Sequence, residues 1–323
     1  MSSSGGSDES SAAALEELSV VCGPTAAGKS RLALALAQRH GGAILSADSR
    51  QIYAGFDVGT AKPTAAERAG VPHRGIDVAD PADRYSAAQW ATAAEGWIGE
   101  AMTAGLTPIV VGGTGLYLRA LFEGLFDEPE LGAPRRRALE RILGHMSVDD
   151  LRRWTQQLDP ARAHLGRTQL LRAIEVALLT GHRVSALHRE RARRPRWTAR
   201  YLLVDPGPPL ADQIVTRIDE MFRAGWEDEV HALAASVAVD APAWNATGYR
   251  HVRAFVVDGS MTRVEAHERI VIETRQYAKR QRTWFRHQVP ANQVTRVDPN
   301  AAHSADVVRR WFAETAARAQ RGA

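Results

Sequence analysis

Eight residues, Gly23-Pro24-Thr25-Ala26-Ala27-Gly28-Lys29-Ser30, complete the pattern G-x-x-x-x-G-K-[ST], and they restrict what the surrounding chain can become. The apolar run 18–22 precedes them, and Arg31-Leu32-Ala33-Leu34-Ala35-Leu36-Ala37 follows with helical character. Strand, glycine-rich turn and helix N-terminus in that order aim backbone amides at an anion, and Lys29 adds a point charge. Ser30 is placed to meet a magnesium ion held by phosphates. A glycine-rich turn ahead of a helix can be only a turn, but with both flanks present the segment is a phosphate site. The loop alone does not say whether the phosphates belong to a nucleotide.

Many proteins with this loop carry an acidic residue at the end of a neighbouring strand, where it helps hold the metal. The strand predicted at 108–111 runs instead into Gly112-Gly113-Thr114-Gly115, with no carboxylate. The acid follows a different predicted strand, 43–47, in Asp48-Ser49-Arg50-Gln51. A carboxylate at the C-terminal end of a strand faces the crevice in which doubly wound sheets bind ligands. There Asp48 could take a proton from an incoming nucleophile, or it could cap the next turn; spacing does not choose between the two.

Strands at 18–22, 43–47 and 108–111 alternate with helices at 29–39, about 86–104 and 115–122. That order predicts an α/β fold, a P-loop NTPase-like parallel sheet flanked by helices. The loop between 47 and 86 holds Gly55, Gly59, Pro63, Pro72 and Pro81, and loops this long in compact domains are usually functional. From 134 to 195 apolar residues recur at helical spacing (Leu139, Ile142, Leu143; Leu170, Leu171, Ile174, Leu178), which predicts an inserted all-helical domain. A strand at 201–204, a helical set over 208–236 and a long helix at about 263–287 follow. The expected organisation is a disordered tail at 1–17, a core of 18–127 and 196–290, a helical insertion at 128–195 and an extension at 291–323.

With 323 residues, 45% of them hydrophobic, the chain can bury a substantial core. No run approaches the roughly 18 apolar residues of a membrane span. The tail, with Asp8, Glu9, Glu16 and Glu17 among Ser, Gly and Ala, lacks the basic and apolar regions of a secretion signal. The single cysteine, Cys22, excludes an internal disulfide or a cysteine-based metal cluster, and His73, His164 and His251 do not fall at ligand spacings. A cytoplasmic protein with no membrane partner is expected. The net charge of +4 is unevenly spread. Arg135, Arg136 and Arg137 form one cluster, Arg189, Arg191, Arg193, Arg194 and Arg196 a second, and Arg275, Lys279, Arg280, Arg282 and Arg286 a third. Any one of these alone is a solvated face; three beside a phosphate loop favour a polyanion. Tyr277, Trp284 and Phe285 are interleaved with the last cluster.

Five segments in order carry a family resemblance. They are Gly23 to Ser30; Ser46-Ala47-Asp48-Ser49-Arg50-Gln51-Ile52-Tyr53; Gly59-Thr60-Ala61-Lys62-Pro63; Val111-Gly112-Gly113-Thr114-Gly115-Leu116-Tyr117; and Arg275-Gln276-Tyr277-Ala278-Lys279-Arg280-Gln281-Arg282-Thr283-Trp284-Phe285-Arg286. Together they resemble the tRNA dimethylallyltransferases, or tRNA isopentenyltransferases, of the bacterial type, over about residues 18–290. Pro72-His73, Tyr85-Ser86, Arg172-Ala173-Ile174-Glu175-Val176 and Gly248-Tyr249-Arg250 add to the likeness.

The resemblance implies transfer of a dimethylallyl group from dimethylallyl diphosphate to N6 of the adenosine 3′ to the anticodon. The loop Gly23, Pro24, Thr25, Ala26, Ala27, Gly28, Lys29 and Ser30 would then hold a diphosphate leaving group, with Mg2+ at Ser30. Asp48 resembles the family's general base, Thr114 the threonine beside the reacting amine, and Arg217 the arginine that orients the diphosphate. On spacing alone Arg217 is a surface helix arginine. By the same resemblance Asp48, Ser49, Arg50, Gln51, Thr114, Arg137, Thr168, Gln169, Arg172, Gly248, Tyr249, Arg250, Lys279, Arg280, Gln281, Arg282, Trp284 and Arg286 contact the anticodon stem-loop of tRNA, bound by a monomer. The chain departs from the family pattern at His164-Leu165-Gly166-Arg167-Thr168-Gln169, which is shortened, and at Trp244-Asn245-Ala246-Thr247, which is less apolar. Competing readings are an isopentenyltransferase acting on free adenine nucleotides, a small-molecule kinase, and a non-catalytic RNA-binding protein. The last would leave Lys29, Asp48 and Thr114 without a joint purpose.

Overall fold

The computed structural model describes residues 15–124, 131, 133–190 and 195–322. Residues 1–14 of the expected tail, the expected boundary at 127–128, and Arg191, Arg193 and Arg194 lie outside the described residues, as does the side chain of Arg189.

The chain opens with β1 (Glu16–Cys22), α1 (Lys29–His40), β2 (Gly42–Ser46), α2 (Ala65–Gly70), β3 (His73–Arg74), α3 (Ala87–Thr103), β4 (Thr107–Gly112) and α4 (Gly115–Phe122). A helical stretch follows: α5 (Ala133–Gly144), α6 (Val148–Leu158), α7 (Arg167–Thr180) and α8 (Val184–Glu190). The chain continues through β5 (Trp197–Val204), α9 (Leu210–Arg223), α10 (Trp226–Ala234), α11 (Tyr249–Val256), α12 (Arg263–Gln288), β6 (Val294–Val297) and α13 (Ser304–Gly322). It divides into two compact units: residues up to 85 with 93–118 and 196–323, and residues 86–92 with 119–195.

In the first unit the strands make one parallel sheet, ordered β3-β2-β4-β1-β5-β6. Every residue of β2 is buried, as are the last five of β1 and of β4. Such continuous burial is what a parallel sheet covered on both faces requires. β1 lies between β4 and β5, so its C-terminal end, and the phosphate loop leaving it, stand at the centre of the sheet's C-terminal edge.

Three boundaries differ from the sequence expectation. β1 begins at Glu16, which pairs with Trp197, so Glu16 and Glu17 belong to the sheet and not to a tail. β5 begins at Trp197 and not at 201, because its first half alternates buried and half-exposed residues, Arg200 among them. Arg200 is ion-paired with Glu314. The extension is also structured: β6 pairs with β5 from Tyr201↔Val294 to Val204↔Val297, and α13 packs against β1, β5 and β6.

The second unit has its own core. Leu143, Leu151, Leu170 and Ile174 form one buried cluster, and Val176, Val184 and Leu187 another. Ser147 caps α6 by accepting from the Asp150 amide, and buried Asp159 accepts from the Ser185 amide (2.9 Å) and hydroxyl (2.5 Å).

Candidate active site

The phosphate loop leaves β1 at Gly23 and turns into α1 at Gly28, whose φ of +84° needs a residue without a Cβ. Gly28 provides no side-chain cap and the first turn of α1 contains no acid, so the helix N-terminus keeps its amides for an anion. Lys29 Nζ donates to the Pro24 carbonyl at 2.6 Å, which folds the ammonium over the loop. Enclosure, followed by the charge of Arg217, brings its pKa down to about 8, while Asp48 and Cys22 pull the other way. Cys22, in the last position of β1, is 1% exposed, and burial pushes its thiol up to about 12. Ser30 is exposed in the first turn of α1.

Asp48 stands just beyond β2, where the Ala47 amide still bonds the Val111 carbonyl of β4 at 2.7 Å. Its Oδ1 accepts from the Arg50 amide at 2.9 Å, so one carboxylate oxygen does cap the turn. No other hydrogen bond from the described residues reaches the carboxylate. Thr114 arrives from the end of β4: its amide donates to the Ala47 carbonyl (3.2 Å), and its hydroxyl accepts from the Ser49 amide (3.0 Å). Tyr277 of α12 lies beside Thr114, and burial, with Asp48 adding to it, raises the phenol to about 12. Tyr277 is therefore protonated near neutrality.

Arg217 comes from α9, which buries Leu210, Ile214, Ile218 and Phe222, and it flanks that apolar stripe, bordering the same space as Ile214 and Ile218. Burial lowers its pKa, against the charges of Asp48 and Glu220. Among the described residues it has no hydrogen-bond partner, which suits a group waiting for an anion. Thr25, Lys29, Ser30, Asp48 and Arg217 share one cavity of ≈ 270 Å³. Arg217 also borders a smaller space with Arg50 and Tyr277, and a wider groove with Lys29 and Arg68.

The segment 57–63 forms a wall of this site and is held by Glu229 and Lys62, to which the sequence assigned no role, and by Tyr249, to which the resemblance assigned a different one. Glu229 Oε2 accepts from the amides of Asp57 (2.9 Å) and Val58 (2.6 Å), while its Oε1 takes the Tyr249 hydroxyl at 2.6 Å. That hydroxyl in turn accepts from the Gly59 amide at 3.1 Å. Lys62 donates to the Tyr53 carbonyl (2.6 Å), to Asp57 (2.6 Å) and to Asp77 (2.5 Å). A lysine in Gly59-Thr60-Ala61-Lys62-Pro63, with aspartates on either side in the chain, was the available signal.

The positions assigned to RNA separate into two groups. Arg137, Thr168, Gln169, Arg250, Lys279, Arg280 and Arg286 are exposed. Ser49 and Arg50 are half-buried, and Arg50 Nε has no partner. Gln51 is held inside, accepting from the Ser46 hydroxyl and donating to the Thr60 and Ala61 carbonyls. Arg172 meets buried Glu175 at 3.2 Å, as does Arg136. Tyr249 is fully buried (0%) beside Phe56, Trp226 and Trp244, and Gly248 lies against the Trp226 ring. These two stand in the aromatic core and not on the surface, where the resemblance implied an RNA contact. Arg282 is ion-paired with Asp205 (2.5 Å) and donates to the Gly207 carbonyl, Gln281 is buried, and Trp284 is half-buried against Gly115.

Residues 51–288 match a family model described as IPP transferase, and residues 16–74 match one described as isopentenyl transferase. A tRNA dimethylallyltransferase of Synechococcus sp. (strain JA-2-3B'a(2-13)) is 43% identical over 274 residues, covering 83% of this chain and 76% of its own. The crystal structure of a full-length tRNA isopentenylpyrophosphate transferase from Bacillus halodurans superposes with a TM-score of 0.66 at 32% identity, over 95% of this chain and 98% of the other. A eukaryotic dimethylallyltransferase acting on tRNA superposes with a TM-score of 0.75 at 25% identity, over 93% of this chain and 80% of the other.

Proposed function

The chain belongs to the tRNA dimethylallyltransferase family, and from that membership we propose how its crevice works. The protein is a prenyltransferase that places a dimethylallyl group on tRNA. The donor is dimethylallyl diphosphate, and the acceptor is N6 of the adenosine 3′ to the anticodon. The exocyclic amine is a weak nucleophile because its lone pair is delocalised into the ring. Asp48 takes its proton as the new N–C bond forms, using the carboxylate oxygen not engaged by Arg50. The allylic C–O bond breaks and the electron pair leaves with the diphosphate. Lys29, the loop amides and Arg217 face that growing charge in a partly enclosed site, where preorganised donors are most effective. Thr114, fixed by Ser49, stands near Asp48 to orient the amine.

Mg2+ fits the donor set. Among the described residues no group of three or more His, Cys, Asp or Glu could hold a metal by itself. The Ser30 hydroxyl does share the cavity with Lys29 and Asp48. Magnesium characteristically binds through one or two protein groups plus phosphate oxygens and water. When bound with the donor it would neutralise charge on the diphosphate.

No helix of the described residues is long and apolar enough to cross a membrane. We place the reaction in the cytoplasm, carried out by a monomer. The convergence of the phosphate loop, Lys29, Arg217 and Asp48 on one cavity carries this reading. Its test incubates the protein with magnesium, labelled dimethylallyl diphosphate and unmodified tRNA, with AMP in a parallel tube. N6-dimethylallyladenosine in digested tRNA is expected. Product with AMP alone would move the acceptor to free nucleotides.

A further inference from the structure

Gln281 lies inside α12, 6% exposed, and its carboxamide joins two segments far apart in the chain. Oε1 accepts from the Thr25 amide of the phosphate loop at 2.8 Å, and Nε2 donates to the Gly113 carbonyl beyond β4 at 3.0 Å. A neutral amide offers one acceptor and one donor group, so a single orientation satisfies both backbone partners. The approach is close: a Cβ on Gly113 would stand 2.2 Å from Nε2. Tyr277 one turn earlier lies beside Thr114, and Trp284 one turn later covers Gly115, where a Cβ would come within 2.2 Å of the indole. Residues 277, 281 and 284 share one helix face. Gln281 also lines the cavity that holds Lys29, Asp48 and Arg217.

We propose that Gln281 is a positioning residue, setting the phosphate loop and the Thr114 loop in register so that the leaving diphosphate and the entering amine meet at a fixed separation. This rests on the reading of the site given above. It replaces the RNA contact implied for Gln281 by its motif, since both ends of the carboxamide are engaged by backbone. An acid in its place accepts from Thr25 but sets an oxygen against the Gly113 carbonyl and a negative charge beside the phosphate loop. A thioether leaves both backbone groups without partners.

The test compares full-length protein with Gln281→Glu and Gln281→Met, measuring donor kcat/KM with saturating tRNA and, separately, tRNA affinity by filter binding. At about pH 8 both variants lose roughly ten- to hundredfold in donor kcat/KM, the scale of a small misplacement of reacting groups, while tRNA affinity is unchanged. The introduced carboxyl regains a proton at lower pH and again offers a donor and an acceptor. The deficit of Gln281→Glu relative to unaltered protein therefore shrinks toward about pH 6, and that of Gln281→Met stays constant. If Gln281→Met does not fold, as judged by thermal melting, the pH profile of Gln281→Glu decides alone. A pH-independent deficit reduces Gln281 to packing and overturns the proposal, as does weakened tRNA binding with unchanged donor constants. Absence of product with unaltered protein overturns both this proposal and the reading beneath it.

Discussion

Enclosure brings the Lys29 ammonium down to about 8, so its charge changes within a range that assays can reach. The sign follows from the chemistry. Lys29 is cationic below that value and neutral above it, and only the cation attracts diphosphate. Donor kcat/KM, which reports ionisations of the free enzyme, is expected to fall as pH rises through about 8. Arginine keeps its charge there, so Lys29→Arg should remove that limb even if it lowers the plateau; a descending limb retained in the variant would assign the ionisation elsewhere. Asp48 gives a second test at this scale. Asp48→Asn keeps an oxygen for the Arg50 amide but cannot take a proton. Transfer is expected to drop by at least roughly a hundredfold with tRNA affinity preserved. Turnover near that of the unaltered protein would take Asp48 out of the mechanism.

At the scale of elements, the wall 57–63 is shaped by what lies behind it. Tyr249→Phe removes a 2.6 Å hydrogen bond to Glu229 and the acceptor for the Gly59 amide. Urea unfolding should show a loss of about 1–3 kcal/mol, the range for buried groups left unpaired, with tRNA affinity unaffected; weaker tRNA binding without lost stability would return Tyr249 to the RNA surface. The sequence disclosed the strands with continuous apolar runs, β1 with its loop, β2 and β4, and the helices long enough to show a pattern, those of the second unit and α12. It hid those that are short or mixed. β3 has two residues, β6 is Val294-Thr295-Arg296-Val297, and the first half of β5 carries Arg200. The phosphate loop, Asp48 and Thr114 were legible because each follows a recognisable strand. The inward turn of Tyr249, Gln281 and Arg282 was not. Which face of α11 or α12 meets the core depends on partners such as Glu229, Thr25 and Asp205, tens to hundreds of residues away in the chain.

Across the whole molecule, a net charge of only +4 conceals a division of labour among arginines. Arg136 and Arg172 face Glu175, and Arg282 faces Asp205, whereas Arg137, Arg250, Arg280 and Arg286 stand in solvent. tRNA affinity is expected to decline with salt. Removing Arg137 or Arg286 should lower the slope of log K against log[salt] by roughly one phosphate contact each, leaving donor constants untouched; an unchanged slope would remove that residue from the RNA interface. The one thiol of the chain turns the central strand into a clock. Cys22 is sealed within β1 and holds its proton to about 12, so an alkylating reagent can reach it only when the sheet opens. The rate of that alkylation counts openings of the native structure, without a label and without denaturant. A diphosphate ligand seated on the adjoining loop should slow the clock in proportion to its occupancy.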